Sequence, residues 1–145
     1  ATIGQSSAQQ SFEALASLVA LRRWAPQWRL GRSMVRVRSD SVSALTTAVK
    51  LNNSGAGSSV VARELALDNA RANYDPVIGE HLPGLANVQA GALSRLRAPD
   101  PKPFPKALKH LKQAVPQERT MRWWRSLTAP PRTGKSGKKG GGKYY

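Results

Sequence analysis

The residues best equipped for chemistry are Arg119, Arg122 and Arg125, spaced three apart around the pair Trp123-Trp124. Guanidinium groups bind phosphate oxygens, and indole rings stack on exposed bases, so the pattern suits nucleic acid. The plainer reading docks both indoles on the rest of the protein and leaves the arginines in water. Docking is the stronger reading for the tryptophans, and RNA contact the stronger one for the arginines. Beyond them, the stretch from Pro130 to Tyr145 scatters Arg132, Lys135, Lys138, Lys139 and Lys143 among glycines. Such a stretch cannot bury enough apolar surface to fold alone. A polyanion is its natural partner, because each cation that neutralises a phosphate releases counterions. The run Ala129-Pro-Pro-Arg-Thr-Gly-Lys-Ser136 has the outline of a phosphate-binding loop. It starts with Ala where such loops need Gly, however, and neither a strand before it nor a helix after it is readable.

Charge supports the same partner. The chain has 145 residues, with 23 Lys and Arg against 8 Asp and Glu, for a net charge of +15. That excess points to a polyanion more than to a membrane surface, since no long basic amphipathic helix is evident. No apolar run is long enough to span a bilayer. Residues 14–21 are mostly apolar but follow a polar start with no Lys or Arg, which is not a secretory signal. There is no cysteine, so disulfides and thiolate sites are excluded. No small-molecule substrate is implied. The charge is uneven: residues 1–99 carry a net +5 and residues 100–145 a net +10. The boundary is placed near Pro99-Asp100-Pro101, with a folded unit over 1–98 and a basic extension over 99–145.

The elements that must position these groups can be read from periodicity. Helical spacing runs from Gln10 to Arg23, with Phe12, Leu15, Leu18, Val19 and Arg22 on one side, Ser11 as N-cap and Pro26 as terminator. Residues 33–39 alternate apolar and basic, giving a strand with Val35 and Val37 on one face and Arg36 and Arg38 on the other. Ser41 to Leu51 reads as a helix with Val42, Leu45, Ala48 and Val49 inward, and Asp40 just before it can act as its cap. Ser59 to Ala72 is the clearest helix. It packs through Val60, Val61, Leu65, Leu67 and its alanines, and leaves Arg63, Glu64, Asp68 and Arg71 solvated. Tyr74 to His81 is a second short strand. Residues 106–115 read as one more short helix, with Ala107, Leu108, Leu111 and Val115 on its apolar side.

Residues 81–95, His81-Leu-Pro-Gly-Leu-Ala-Asn-Val-Gln-Ala-Gly-Ala-Leu-Ser-Arg95, organise the rest. Pro83-Gly84 makes a turn. Asn87 is placed to cap a helix on which Leu85, Val88, Ala92 and Leu96 recur at three- and four-residue steps. Helices connecting two strands imply a parallel pair. The expected fold class is therefore α/β, with a small two-stranded parallel sheet, about four helices and an irregular basic extension.

This stretch resembles the end of the ribonuclease H type 1 domain of retroelement (gypsy-like) reverse transcriptases. There a His-x-Pro-Gly turn leads into Ala-Asn-x-x-Ala-Asp-x-Leu-Ser-Arg. The resemblance covers about residues 9–97 and implies a partial ribonuclease H-like fold. It implies catalytic ancestry for Glu13 on the first helix, for Asp40 after the first strand and for His81 at the turn. The family's last catalytic Asp falls at Gly91. The family's first three strands, and the Asp they carry, have no counterpart, so the chain reads as truncated at its N-terminus.

Members of this family cut the RNA of RNA/DNA hybrids with two divalent ions held by clustered carboxylates. Glycine supplies no ligand. The resemblance therefore implies a pseudoenzyme with no metal site, or, as the alternative, the C-terminal part of an active Mg²⁺-dependent nuclease. The leading expectation is a basic RNA-binding or structural component of a ribonucleoprotein such as a ribosome. A cytoplasmic or a mitochondrial particle would suit it, although no transit peptide is readable. In the family fold the strand before Asp40 lies mid-sheet. Without its neighbour it has an open edge, which the N-terminal segment, the C-terminal extension, neighbouring protein chains or RNA would cover.

Overall fold

The computed structural model describes residues 6–28, 34–52, 55–71 and 78–128. Among them, five α-helices and two parallel strands make a mixed α/β fold: α1 (Ser6–Trp28), β1 (Arg36–Ser39), α2 (Val42–Lys50), α3 (Ala56–Arg71), β2 (Ile78–His81), α4 (Val88–Ser94) and α5 (Met121–Leu127). A single 3-10 turn spans Lys106–Leu108.

The core is built by α1 and α3 lying side by side in the same direction. Ser11 faces Ser58 at one end, with the two hydroxyl oxygens 3.4 Å apart, and Arg22 meets Asp68 at the other, at 2.6 and 3.0 Å. Between these points Ala14, Leu15, Leu18 and Leu21 of α1 pack on Val61 and Leu65 of α3, joined by Ala48 of α2 and Leu127 of α5. Leu18 and Val61 are completely buried. The three- and four-residue spacing of these side chains produces the apolar stripes that hold the helices together.

Two features of α1 differ from the sequence reading. Ser11 is not an N-cap but a buried residue inside the helix. Pro26 does not end α1 but sits in its final turn. A proline there lacks the N–H that would bond the Arg22 carbonyl and crowds that carbonyl, but both effects fall on the last turn, and the helix continues to Trp28. Phe12, read as inward-facing, is about half exposed.

Helix α2 is capped by Ser41, not by Asp40: the Ser41 hydroxyl accepts from the Ala44 N–H at 3.2 Å. The helix ends at Leu51, which is held in the left-handed region with φ 54° while its N–H bonds the Thr47 carbonyl. Val42 and Val49, expected inward, are exposed, and Ala44, Leu45, Thr47 and Ala48 are buried instead. In α3, Leu67 is likewise exposed and the small residues Gly57, Ser58 and Ala62 face inward.

The strands pair in parallel with Arg36 opposite Ile78 and Ser39 opposite His81. Val35 and Val37 pack against the core, while Arg36 and Arg38 are exposed and meet Glu80 at 3.4 and 3.3 Å. Such surface pairs contribute little to stability. Gly79 lets β2 approach α2, since a Cβ there would come within 2.9 Å of a Val49 methyl.

After β2 the chain turns through Gly84–Ala86 and forms α4, but nothing in α4 is buried. Asn87 occupies the N-cap position without a side-chain capping bond. The apolar stripe read there is largely in solvent: Leu85 and Val88 are strongly exposed. The helix expected over 106–115 shrinks to the 3-10 turn, with Leu111 and Val115 exposed. A helix this short gains little stability unless its apolar stripe finds a surface to cover.

Candidate nucleic-acid interface

Two places bring together residues singled out by the sequence. The first is the carboxyl end of the sheet. Parallel pairing sets Ser39 beside His81, and the Leu82 N–H bonds the Ser39 carbonyl at 2.9 Å. Asp40 therefore emerges next to the His81–Gly84 turn, with its Oδ2 3.7 Å from where a Gly84 Cβ would stand. Both Asp40 and His81 are exposed. Glu13 lies half-buried on α1 and accepts a hydrogen bond from Gln9 Nε2 at 3.1 Å. No hydrogen bond or ion pair links Glu13 to Asp40 or His81 among the described residues. Gly91 sits in α4, and a side chain added there would meet nothing within 4 Å. Among the described residues no group of three or more His, Cys, Asp or Glu side chains is gathered as a metal site.

The second place is the docking of α5 on α3 and α1. Thr120 caps α5, its hydroxyl accepting from the Trp123 N–H at 3.2 Å. Trp123 and Leu127, four residues apart, share the inward face. Arg119 reaches across to Glu64 with both terminal nitrogens, at 2.6 and 2.9 Å. Trp123 Nε1 donates to the same carboxylate at 2.8 Å, and Arg22 approaches it at 2.8 Å. The Arg119 guanidinium also lies over the Trp123 ring, 3.9 Å from its centre.

Partial burial pushes the Glu64 carboxyl upward. Hydrogen bonds from Arg119 and Trp123, together with the Arg119 and Arg22 charges, outweigh that and hold it below the usual glutamate value. The hydrogen bond to Asp68 leads the effects that raise the Arg22 pKa, against partial burial, which lowers it; the charges of Asp68 and Glu64 add to the rise.

This geometry separates the residues of the Arg-Trp motif. Arg119, read as a phosphate contact, has only 9% of its side chain exposed and its charge is matched by Glu64. Trp123 has one face under Arg119 and its N–H on Glu64, so it is a docking residue. Trp124 differs: it meets Trp123 edge-on at 5.1 Å and stacks on Phe12 with ring centres 6.4 Å apart and planes 28° from parallel. Arg122 and Arg125 are exposed on α5. Arg132, Lys135, Lys138, Lys139 and Lys143, like the phosphate-loop-like run from Pro130 onward, lie outside the described residues.

Sequence reasoning missed Glu64 and Asp68, which are half-buried ion-pair partners and not solvated acids. Their four-residue spacing on one helix face was the available signal. It also missed Phe12 as a surface aromatic, for which periodicity holds no signal. No protein-family model matches the chain, and neither a curated protein nor a solved structure matches it. No described helix is long and apolar enough to cross a membrane.

Proposed function

We propose that the chain is a partial ribonuclease H-like domain without nuclease activity that binds RNA as a basic structural component of a ribonucleoprotein. The observation that carries this reading is the pairing at the sheet end. Asp40 and the His81 turn adjoin at the ends of neighbouring parallel strands, which supports the reading. The family's last catalytic Asp, however, falls at Gly91, where an added side chain would meet nothing within 4 Å. A two-ion phosphodiester cut needs oxygen ligands on both ions, and glycine has none to give. What remains suited to nucleic acid is charge: a net +15, with Arg122 and Arg125 displayed on α5.

The test has two arms. Fluorescence anisotropy with a labelled RNA is expected to show affinity falling steeply with salt, the logarithmic slope being roughly −0.7 per single-strand phosphate contacted. Incubation with an RNA/DNA hybrid and Mg²⁺ or Mn²⁺ is expected to leave the hybrid intact. Salt-independent binding, or cleavage that disappears in Asp40→Asn, overturns the reading.

One observation favours the alternative, the C-terminal part of an active ribonuclease H. Among the described residues β1 is paired on one edge only, by β2, which leaves room for a further strand. Under that reading, joining upstream sequence that carries such a strand and an Asp restores hybrid cleavage. The same free edge is the place for a neighbouring protein chain under the first reading.

A further inference from the structure

We propose that the Phe12–Trp124 stack, whose Trp124 lies on a helix that also displays Arg122 and Arg125 to solvent, is a base-stacking platform for single-stranded RNA. The inference rests on the RNA-binding reading above and gives it a location.

The two rings come from helices far apart in sequence, α1 and α5, and meet at 6.4 Å in a near-parallel arrangement. That is within the range in which aromatic pairs attract. Packing has not buried them: Phe12 is 47% exposed and Trp124 36% exposed. They form a joint aromatic surface beside Met121, which is also exposed.

The platform is held stiffly from below. Trp124 abuts the edge of Trp123, whose indole N–H is fixed on Glu64 and whose face is covered by Arg119, and Leu127 anchors the same helix in the core. A surface fixed in advance loses little freedom when a ligand arrives.

Charge decides what that ligand is. Among the described residues no carboxylate pairs with Arg122 or Arg125. The carboxylate of Glu64, which underlies α5, is already matched by Arg119 and Arg22; Glu13, next to Phe12 in sequence, accepts from the neutral Gln9 amide and sets one negative charge against the two guanidinium groups. An apolar peptide would gain nothing from two free guanidinium groups. A nucleic acid offers phosphates to them and a π-face to the rings. Only unstacked bases present that face, so the fit is to a single strand and not to a duplex.

The experiment compares a uridine RNA of about 12 nucleotides with an abasic ribose-phosphate oligomer of equal length, each binding the full chain at one fixed low salt. The wild type is expected to prefer the uridine oligomer. Trp124→Leu is expected to lower that affinity on the order of 5- to 150-fold while leaving abasic binding unchanged. Phe12→Leu, at a half-exposed site, should act in the same direction, which keeps the test valid if Trp124→Leu fails to fold by circular dichroism. Equal wild-type binding of the two oligomers, or a base preference that survives Phe12→Leu, overturns the platform and leaves the RNA-binding reading standing. Failure of the wild type to bind either oligomer overturns both.

Discussion

Arg119 grips Glu64 as a two-pronged fork across 55 residues of sequence, at 2.6 and 2.9 Å, and so ties the start of α5 to the middle of α3. Bidentate guanidinium–carboxylate pairs are among the stronger polar contacts because both hydrogen bonds are charge-assisted. Removing one partner leaves the other partly desolvated without a counter-charge. Glu64→Ala is therefore expected to cost about 2–4 kcal/mol, read as a lower urea midpoint. Arg119→Ala should cost less than the acid, because Glu64 retains Arg22 and Trp123. Equal stability of wild type and Glu64→Ala would show that this pair does not hold α5 to α3.

The same carboxylate sets an acid limit. Its folded pKa lies below the ordinary value of 4.5. A group depressed on folding contributes stability that is complete above its unfolded pKa and is lost as pH falls through the folded one. Stability should hold from neutral pH down to about 5 and decline below about 4.5. Glu64→Gln should be less stable at pH 7 yet flatter across that acid range. Thermal melts from pH 7 to 3 check the sign, and a Glu64→Gln slope as steep as wild type would contradict it.

At Gly57, helix α3 lies against both α5 and α1. A Cβ there would land on the Leu127 carbonyl oxygen and crowd Ser11 Oγ. Backbone oxygen cannot swing aside like the end of a flexible side chain, so α5 must move. Gly57→Ala, which on helix propensity alone would gain up to about 1 kcal/mol, is instead expected to destabilise by about 1–3 kcal/mol. Trp123 fluorescence should then shift toward that of a water-exposed indole, and protease cleavage between residues 112 and 120 should accelerate.

Gly91 gives the opposite case. With nothing within 4 Å of an added Cβ, Gly91→Asp is expected to fold as well as wild type, within about 0.5 kcal/mol by thermal melting. Under the proposed function it leaves an RNA/DNA hybrid uncut in Mg²⁺, since the acid of the family's first strand still has no counterpart. Cleavage gained by this single change would mean that the remaining carboxylates suffice.

Part of this molecule was legible in the sequence for local reasons. The alternation around Val35 and Val37 defined β1, the spacing of Leu15 and Leu18 defined the buried stripe of α1, and two strands linked by helices implied the parallel pair that is seen. Alternation and three- to four-residue recurrence are properties of a segment by itself, so they survive without knowledge of neighbours. Local rules failed where a neighbour decides. Pro26 is tolerated because of where the helix happens to end, and Ser11 is buried because Ser58 stands opposite. The stripes of α4 and of residues 106–115 read as packed faces, yet among the described residues Leu85, Val88, Leu111 and Val115 stay exposed.

The sequence by itself determined the excess of positive charge, the absence of thiol chemistry and the periodicities that place the strands and the main helices, because these depend only on residue type and order. Only the tertiary structure decided which cations are free. It paired Arg119 and Arg22 with acids on α3, left Arg122 and Arg125 in water, and brought Phe12 onto Trp124. A charge or a ring becomes available or occupied according to what folds against it, and that partner lies tens of residues away along the chain.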